Sequence, residues 1–360
     1  MSVAVMPSRA VSMGTMQIEL NSFSFPRKFA RFCSLIGLCL FALAIPAAAQ
    51  VSDPPDTIRI DSDLVNLQVS VLGQNPLKPP TFLQPRDFAV IDDGTPQEIT
   101  FFATAEAPFD LVLLLDLSNS TSKKLKLIRK SAKRFVDACR PTDRIAVVTF
   151  SEDLEVVSPL TTDRKELKQD IDDMERLSSG TNFWDALRFV HENVINPSAR
   201  RTAIVIMTDG VDNALPEVPG PGSQTTFEDL VSLSQRSEAL AFPIFLDTEL
   251  EEVKKHHATT EAYVAARAQL AQLAEISGTS VRKASKLEDL ETIYKQIITD
   301  LGTVYSIGYR PANISRDGKW HQVTVNLVDR PDLAARTRSG YFAASLASAS
   351  PKPADSPEPF

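Results

Sequence analysis

Hydrophobic spacing changes twice along this chain. Residues 57–72 (TIRIDSDLVNLQVSVL) alternate apolar and polar, the period of a half-buried strand. After a Pro/Gly-rich loop at 73–85, residues 88–91 and 99–102 read as strands around Asp92-Asp93-Gly94, a hairpin signal. From Phe109 the alternation disappears. Residues 109–116 (FDLVLLLD), 144–151 (RIAVVTFS) and 202–208 (TAIVIMT) are near-continuous apolar runs, as expected of strands buried on both faces of a parallel sheet. Residues 154–160 (LEVVSPL) fit an edge strand, where Pro159 is tolerated, and 242–248 and 279–284 are strand-like. Between these strands, 122–139, 163–176, 183–194, 226–240, 261–277 and 287–301 are predicted helices. In the first, Leu125, Ile128, Ala132, Phe135, Val136 and Cys139 form the apolar stripe, and Thr162 can cap the second. Residues 303–310, 320–328 and 334–342 return to alternation, with a turn at Asp317-Gly318.

Strands alternating with helices over about 107–302 predict an α/β domain with a doubly wound, mostly parallel sheet. The β segments on either side, 57–104 and 303–342, have too few strands to stand alone. They are expected to pack together as one β-sandwich-like unit with the α/β domain inserted between them. Residues 345–360, rich in Ala, Ser and Pro, read as a disordered tail.

The N-terminus changes the compartment. A basic patch at 26–32 precedes thirteen uncharged residues, 33–45 (CSLIGLCLFALAI), then Pro46 and Ala47-Ala48-Ala49-Gln50. That order describes a secretory signal peptide cleaved after Ala49. Thirteen residues fall short of the about 20 that a membrane-spanning helix needs. The mature protein is therefore expected in the periplasm, at the cell surface or secreted, without a transmembrane span.

Composition then narrows the chemistry. The chain has 360 residues, 38 Lys+Arg, 46 Asp+Glu, 4 His and 3 Cys. Removing 1–49 takes away Arg9, Arg27, Lys28, Arg31 and Glu19 and moves the net charge from -8 to -11. An acidic chain without a basic block is a poor nucleic-acid binder. Cys33 and Cys39 leave with the signal peptide, so Cys139 has no intramolecular disulfide partner.

Ligands of open α/β sheets bind beyond the carboxyl ends of the strands. There the first buried strand ends in Asp116-Leu117-Ser118-Asn119-Ser120, a loop before the 183–194 helix reads Ser179-Gly180-Thr181-Asn182, and the 202–208 strand runs into Asp209-Gly210. All three loops fall on one edge of a parallel sheet. They gather carboxylates and hydroxyls with no Cys or His, a donor set that hard divalent cations prefer.

These residues resemble the von Willebrand factor type A (VWA) domain and its metal ion-dependent adhesion site (MIDAS). The family motif is Asp-x-Ser-x-Ser, a Thr from a second loop and an Asp from a third. Asp116, Ser118, Ser120, Thr181 and Asp209 match it in order. The family often has Gly where this chain has Asn119, a residue that tolerates left-handed backbone. The resemblance covers about 107–302, and "DFAVIDDGTPQEITFF" and "SGYF" extend it to the VWFA-related proteins of acidobacteria. It implies a Mg²⁺ site, or one for Mn²⁺ or Ca²⁺, that binds an acidic residue of a protein partner in adhesion or another interaction.

No nucleophile–base pair or phosphate-cradling Gly loop is evident, so the expectation is a non-enzymatic protein. Two alternatives stand beside it. One is an envelope scaffold with an idle site. The other is a phosphatase of the haloacid dehalogenase type, which also begins with a strand-end Asp but wants a second Asp where this chain has Ser118. Taken singly, Ser118, Ser120 and Ser122 read as helix caps, Thr181 as the cap of the 183–194 helix, and Asp209-Gly210 as a turn. Asp185 and Asp212 read as supporting or surface residues, Phe183 and Trp184 as helix packing, 249–252 as a solvated acidic turn, and His256-His257 as a solvated insertion.

Overall fold

The computed structural model describes residues 64–73, 82–122, 124–175, 180–195, 200–312 and 316–343. The signal-peptide and tail readings, and Ser179, lie outside these residues. The chain begins with β1 (Val65–Gly73), β2 (Phe88–Asp92), β3 (Thr95–Gln97) and β4 (Ile99–Ala103). It continues through β5 (Phe109–Asp116), the single turn α1 (Asn119–Ser122), α2 (Leu125–Ala138), β6 (Arg144–Phe150), β7 (Leu154–Thr161), α3 (Arg164–Asp173) and α4 (Phe183–Phe189). Next come β8 (Arg201–Thr208), α5 (Phe227–Arg236), β9 (Leu240–Leu246), α6 (Glu249–Lys254), α7 (Thr260–Ser277), β10 (Arg282–Ala284) and α8 (Leu290–Leu301). The last strands are β11 (Val304–Tyr309), β12 (Trp320–Leu327), β13 (Leu333–Arg336) and β14 (Gly340–Phe342).

The central sheet has the order β10-β9-β8-β5-β6-β7. All its pairs are parallel except β6–β7, which is antiparallel. Pro159 falls where the β6–β7 register slips, so its missing N–H breaks no regular ladder bond. Alternate residues of β5 serve opposite faces. Leu111, Leu113 and Leu115 pack with α2, α3 and α8, whereas Val112 and Leu114 pack with α4, α5 and α7. Each such fully buried side chain contributes roughly 2 kcal/mol. An exposed ion pair such as Arg188–Glu192 contributes under about 1 kcal/mol, so burial rather than surface charge holds these layers.

The two flanks interleave. One antiparallel sheet runs β13-β1-β11-β4 and another runs β14-β12-β2-β3, each drawing strands from both ends of the chain. They share one core of Val65, Leu67, Val69, Phe88, Val90, Tyr305, Ile307, Val323 and Val325. The 334–342 segment, expected as one strand, is split. β13 pairs with β1 and β14 with β12, because the chain changes sheets in between.

Arg201 ties the two crossings between the β unit and the α/β domain. It is 5% exposed and donates to the carbonyls of Ala105 and Ala107 on the outward crossing and of Val304 on the return. Its guanidinium also lies 4.1 Å from the Phe109 ring centre. Among the described residues, no helix is long and apolar enough to cross a membrane.

Several local readings change. Asp163, not Thr162, caps α3, accepting from the amides of Lys165 and Glu166. The acidic run at 249–252 forms helix α6, with Glu252 buried against Lys255 and His257. Asn119 is not among the described residues with positive φ, so its place in α1 needs no left-handed backbone.

Candidate metal centre

The site lies where the strand order reverses. β5 and β8 are neighbours in the sheet, yet the chain leaves them toward opposite sides, so their carboxyl ends open a crevice. Asp116 is the last residue of β5 and Asp209 the first after β8. Gly210 then turns with φ of +77°, and a Cβ there would meet Leu270 Cδ1 at 2.9 Å, so the turn after Asp209 requires glycine.

Asp116 is fully buried. Its Oδ1 accepts the Ser118 N–H at 2.9 Å and its Oδ2 accepts the Thr208 hydroxyl at 2.6 Å. The Ser118 and Ser120 hydroxyls lie 3.2 Å apart, and Ser120 also reaches Asp209. Thr121, not Ser118 or Ser120, uses its hydroxyl on the local backbone, donating to the carbonyls of Asp116 and Ser118. Asp209 Oδ2 accepts from Thr248 at 2.7 Å and from Tyr263 at 3.3 Å, and its Oδ1 accepts the Val211 N–H at 3.2 Å.

Thr181 comes from the other side of the crevice. It does not cap α4, whose N-cap is Asn182. Asn213 pins it, taking the Thr181 N–H on Oδ1 at 3.1 Å and donating its own N–H to the Thr181 carbonyl at 2.9 Å. Ser118, Ser120, Thr181 and Asp209 line one cleft of about 200 Å³, with Glu152, Glu252, His257 and the 218–221 loop at its walls. Asp116 lies beneath the floor rather than on the wall.

The electrostatics are lopsided. Among the described residues, no Lys or Arg lines the cleft. Burial first, and then the charge of Asp209, hold the Asp116 carboxyl well above the ordinary carboxylate range. Burial raises Asp209 as well, against the hydrogen bonds from Thr248, Val211, Ser120 and Tyr263 that favour its charge. Two carboxylates buried side by side cost several kcal/mol without a counter-charge. A bound dication supplies that counter-charge, and the surrounding hydroxyls and carboxylates are oxygen donors of the type hard cations take. The residues therefore fit a divalent ion, with Ser118, Ser120, Thr181 and Asp209 facing the cleft.

Asp212 and Asp185 organise the loop beside the site. Asp212, fully buried, accepts the amides of Trp184, Ala214 and Ser223 and the Ser223 hydroxyl. Asp185 accepts the amides of Gln224 and Thr225. Asp212→Ala leaves three amides and a hydroxyl without their acceptor and is expected to cost about 3 kcal/mol. Denaturant unfolding measures the loss, and hydrogen exchange should speed up across 211–225; unchanged exchange there would show the loop is held otherwise. Phe183 and Trp184 pack as expected, Trp184 lying 5.9 Å from the Phe227 ring.

The residues that sequence spacing missed are Thr208, Thr248, Tyr263 and Asn213. Thr208 had a visible signal, since it immediately precedes Asp209 at a strand end. Thr248, Tyr263 and Asn213 had none. His257 is solvent-exposed, as expected, and its Nδ1 lies 2.8 Å from Glu252 Oε2 at the cleft wall.

Residues 110–239 match the family model of the von Willebrand factor type A domain. An uncharacterised protein from Borreliella burgdorferi is 28% identical over 114 residues, 29% of this chain and 33% of its own length. The chain thus spans about a third of that relative's length. Proximal thread matrix protein 1 from the mussel byssus, with a zinc-occupied MIDAS motif, matches at 18% identity and a TM-score of 0.44. That match covers 58% of this chain and 49% of that one. A von Willebrand factor type A structure from Catenulispora acidiphila matches at 14% identity and a TM-score of 0.44, covering 74% and 77%. The vWF domain of the type V pili tip protein Mfa5 from Porphyromonas gingivalis matches at 16% and 0.41, covering 53% and 94%.

Proposed function

We propose that this von Willebrand factor type A domain binds a divalent cation, Mg²⁺ foremost, through Asp116, Ser118, Ser120, Thr181 and Asp209. Through that ion it holds an acidic residue of a partner protein. One observation carries the reading: two buried carboxylates, Asp209 on the lining of a solvent-facing cleft and Asp116 beneath it, stand among neutral hydroxyls, with no Lys or Arg among the described residues that line the cleft. The residues divide the work. Ser118, Ser120, Thr181 and Asp209 face the ion. Asp116 orients the Ser118 loop through the Ser118 N–H and adds its negative charge from below. Asn213 keeps Thr181 in place. The ion, when bound, supplies positive charge toward solvent at which a partner carboxylate can bind.

Binding rather than turnover is the proposed role. A phosphatase of the haloacid dehalogenase type lacks its second Asp, because position 118 is Ser. The basic patch at 26–32, the apolar 33–45 and the Ala47-x-Ala49 site support a signal peptide, and with it a binding role outside the cytoplasm.

The test pairs calorimetry with capture. The full chain should bind one Mg²⁺ or Mn²⁺ at this site, and Asp116→Ala should lose it. A partner from envelope extract should be retained in Mg²⁺ and released in EDTA. Equal retention in EDTA favours a scaffold with an idle site, and absent metal binding ends the proposal.

A further inference from the structure

The β unit carries a second cluster of metal-ligating groups, remote in sequence from the first. Asp92 ends β2, Asp93 stands in the turn to β3, and His321 lies on β12, the strand paired with β2. Their ligand atoms all lie within 4.8 Å of one another. His321 Nδ1 is 2.9 Å from Asp93 Oδ2 and 3.9 Å from Asp92 Oδ1. We propose that Asp92, Asp93 and His321 form a second cation site, one for a borderline-soft dication of the zinc class.

Four features set this arrangement apart from an ordinary surface ion pair. First, Asp92 is 5% exposed, and among the described residues its hydrogen bonds are to Oδ2, from the hydroxyls of Tyr309 and Tyr341 at 2.9 Å each. Its Oδ1 faces the imidazole from too far for a hydrogen bond. Second, ligand atoms on a tetrahedral zinc ion sit on the order of 3.3 Å apart, between the two spacings found here. Third, the residues around the cluster hold it as neighbours of a metal site do. The Tyr341 ring stacks on the imidazole at 5.3 Å while its hydroxyl holds Asp92. Among the described residues, His321 Nε2 is buried without a hydrogen-bond partner, and a carboxylate oxygen of Asp317 stands 3.8 Å from it. An ion on Nδ1 places the imidazole proton on Nε2, toward that carboxylate. Fourth, Asp93 is held at φ of +46° before Gly94 at +80°, and its Oδ1 accepts the Gln322 N–H at 2.9 Å, so the turn presents Oδ2 to the imidazole. A nitrogen donor with two carboxylates favours zinc over magnesium, which separates this site from the all-oxygen one. Because Tyr309 belongs to one antiparallel sheet and Asp92, His321 and Tyr341 to the other, the ion would sit beside a strut between the sheets.

The test uses the untagged full chain carrying Asp116→Ala, titrated with Zn²⁺ by calorimetry and with Co²⁺ by visible absorption. That chain should bind one Zn²⁺ and give a Co²⁺ ligand-field band. Adding His321→Gln should remove the band and weaken zinc binding at least about tenfold. Adding Asp93→Asn should weaken it likewise without unfolding, because Asn tolerates the turn's φ and keeps the acceptor for Gln322. Tyr309→Phe should weaken it by about tenfold through Asp92. If the Asp116→Ala chain binds no zinc, or if Asp93→Asn and His321→Gln bind it as tightly as that parent, the assignment is overturned. The cluster is then an ion pair between strands.

Discussion

Asp116→Asn is expected to abolish the stabilisation that Mg²⁺ or Mn²⁺ gives the wild-type chain, while leaving the metal-free chain no less stable than wild type. The two halves of this result have one cause. Asp116 and Asp209 are both buried, with no Lys or Arg among the described residues lining the cleft, and the charge of Asp209 disfavours ionisation of Asp116. Asparagine removes one of the two charges. Its side-chain oxygen still accepts from the Ser118 amide, and its NH₂ can donate to Thr208 in place of the bond that Thr208 now donates. The metal-free state thus loses a repulsion and keeps its hydrogen bonds. The metal-bound state loses a charge the ion needs. At a metal concentration about 100 times Kd the wild type gains about 2.7 kcal/mol, and the variant should gain almost none. In a chain of 360 residues, with an unfolding entropy of about 2.1 cal/mol/K per residue, that gain is about 4 °C in Tm. Thermal unfolding with metal and with EDTA measures both halves. Equal metal shifts in the two proteins, or a variant far less stable in EDTA, would contradict the charge argument.

The second large effect concerns Arg201→Met. Methionine replaces the buried stem but leaves the carbonyls of Ala105, Ala107 and Val304 without their charged donor. Burial lowers the Arg201 pKa to about 10, with Arg140 adding to the shift, so the guanidinium stays charged at neutral pH. Losing its bonds, offset by no longer burying a charge, is expected to cost roughly 2–4 kcal/mol. The loss should also separate two transitions, because these carbonyls lie on both crossings between the units. The chain offers its own reporters. Its two tryptophans are Trp184, on α4, and Trp320, on β12. With each Trp replaced in turn by Phe, the remaining one reports a single unit in urea. The two curves should coincide in the parent and diverge in Arg201→Met. Coincident curves at the parent midpoint would remove Arg201 from this role.

How much of this was legible in the chain depended on the range of the interaction. Strand and helix type follow from local spacing, so β5, β6, β8 and α2 stand close to where the apolar runs and the helical stripe put them. The edge position of β7 followed from one proline. Boundaries moved where side chains or distant strands decided them. Asp163 took the cap from Thr162 because its carboxylate reaches two amides. The 334–342 segment was shared between sheets because its partners, β1 and β12, lie on different layers.

The candidate site shows the same division. Asp116, Ser118, Ser120, Thr181 and Asp209 were visible because each follows a strand or precedes a helix at a loop that a parallel sheet must place on one edge. Thr248, Tyr263 and Asn213 were invisible, because their role consists of touching Asp209 or Thr181 across 39, 54 and 32 residues of chain. The Asp92-Asp93-Gly94 and Asp317-Gly318 turns gave a true local signal whose chemical meaning was hidden, since it depends on His321 arriving from a paired strand.

The sequence alone determined which segments bury on two faces and which on one, the oxygen-only donor set, and the loops that carry it. Those properties depend on residue type and on periods of two and 3.6, which any short window contains. Tertiary structure alone decided that both flanks interleave in each antiparallel sheet, that Arg201 bridges the two crossings, that buried Asp212 shapes the wall of the cleft, and that Asp116 is buried within reach of the charge of Asp209. Those properties depend on distances between residues far apart in the chain, and no local pattern records such distances.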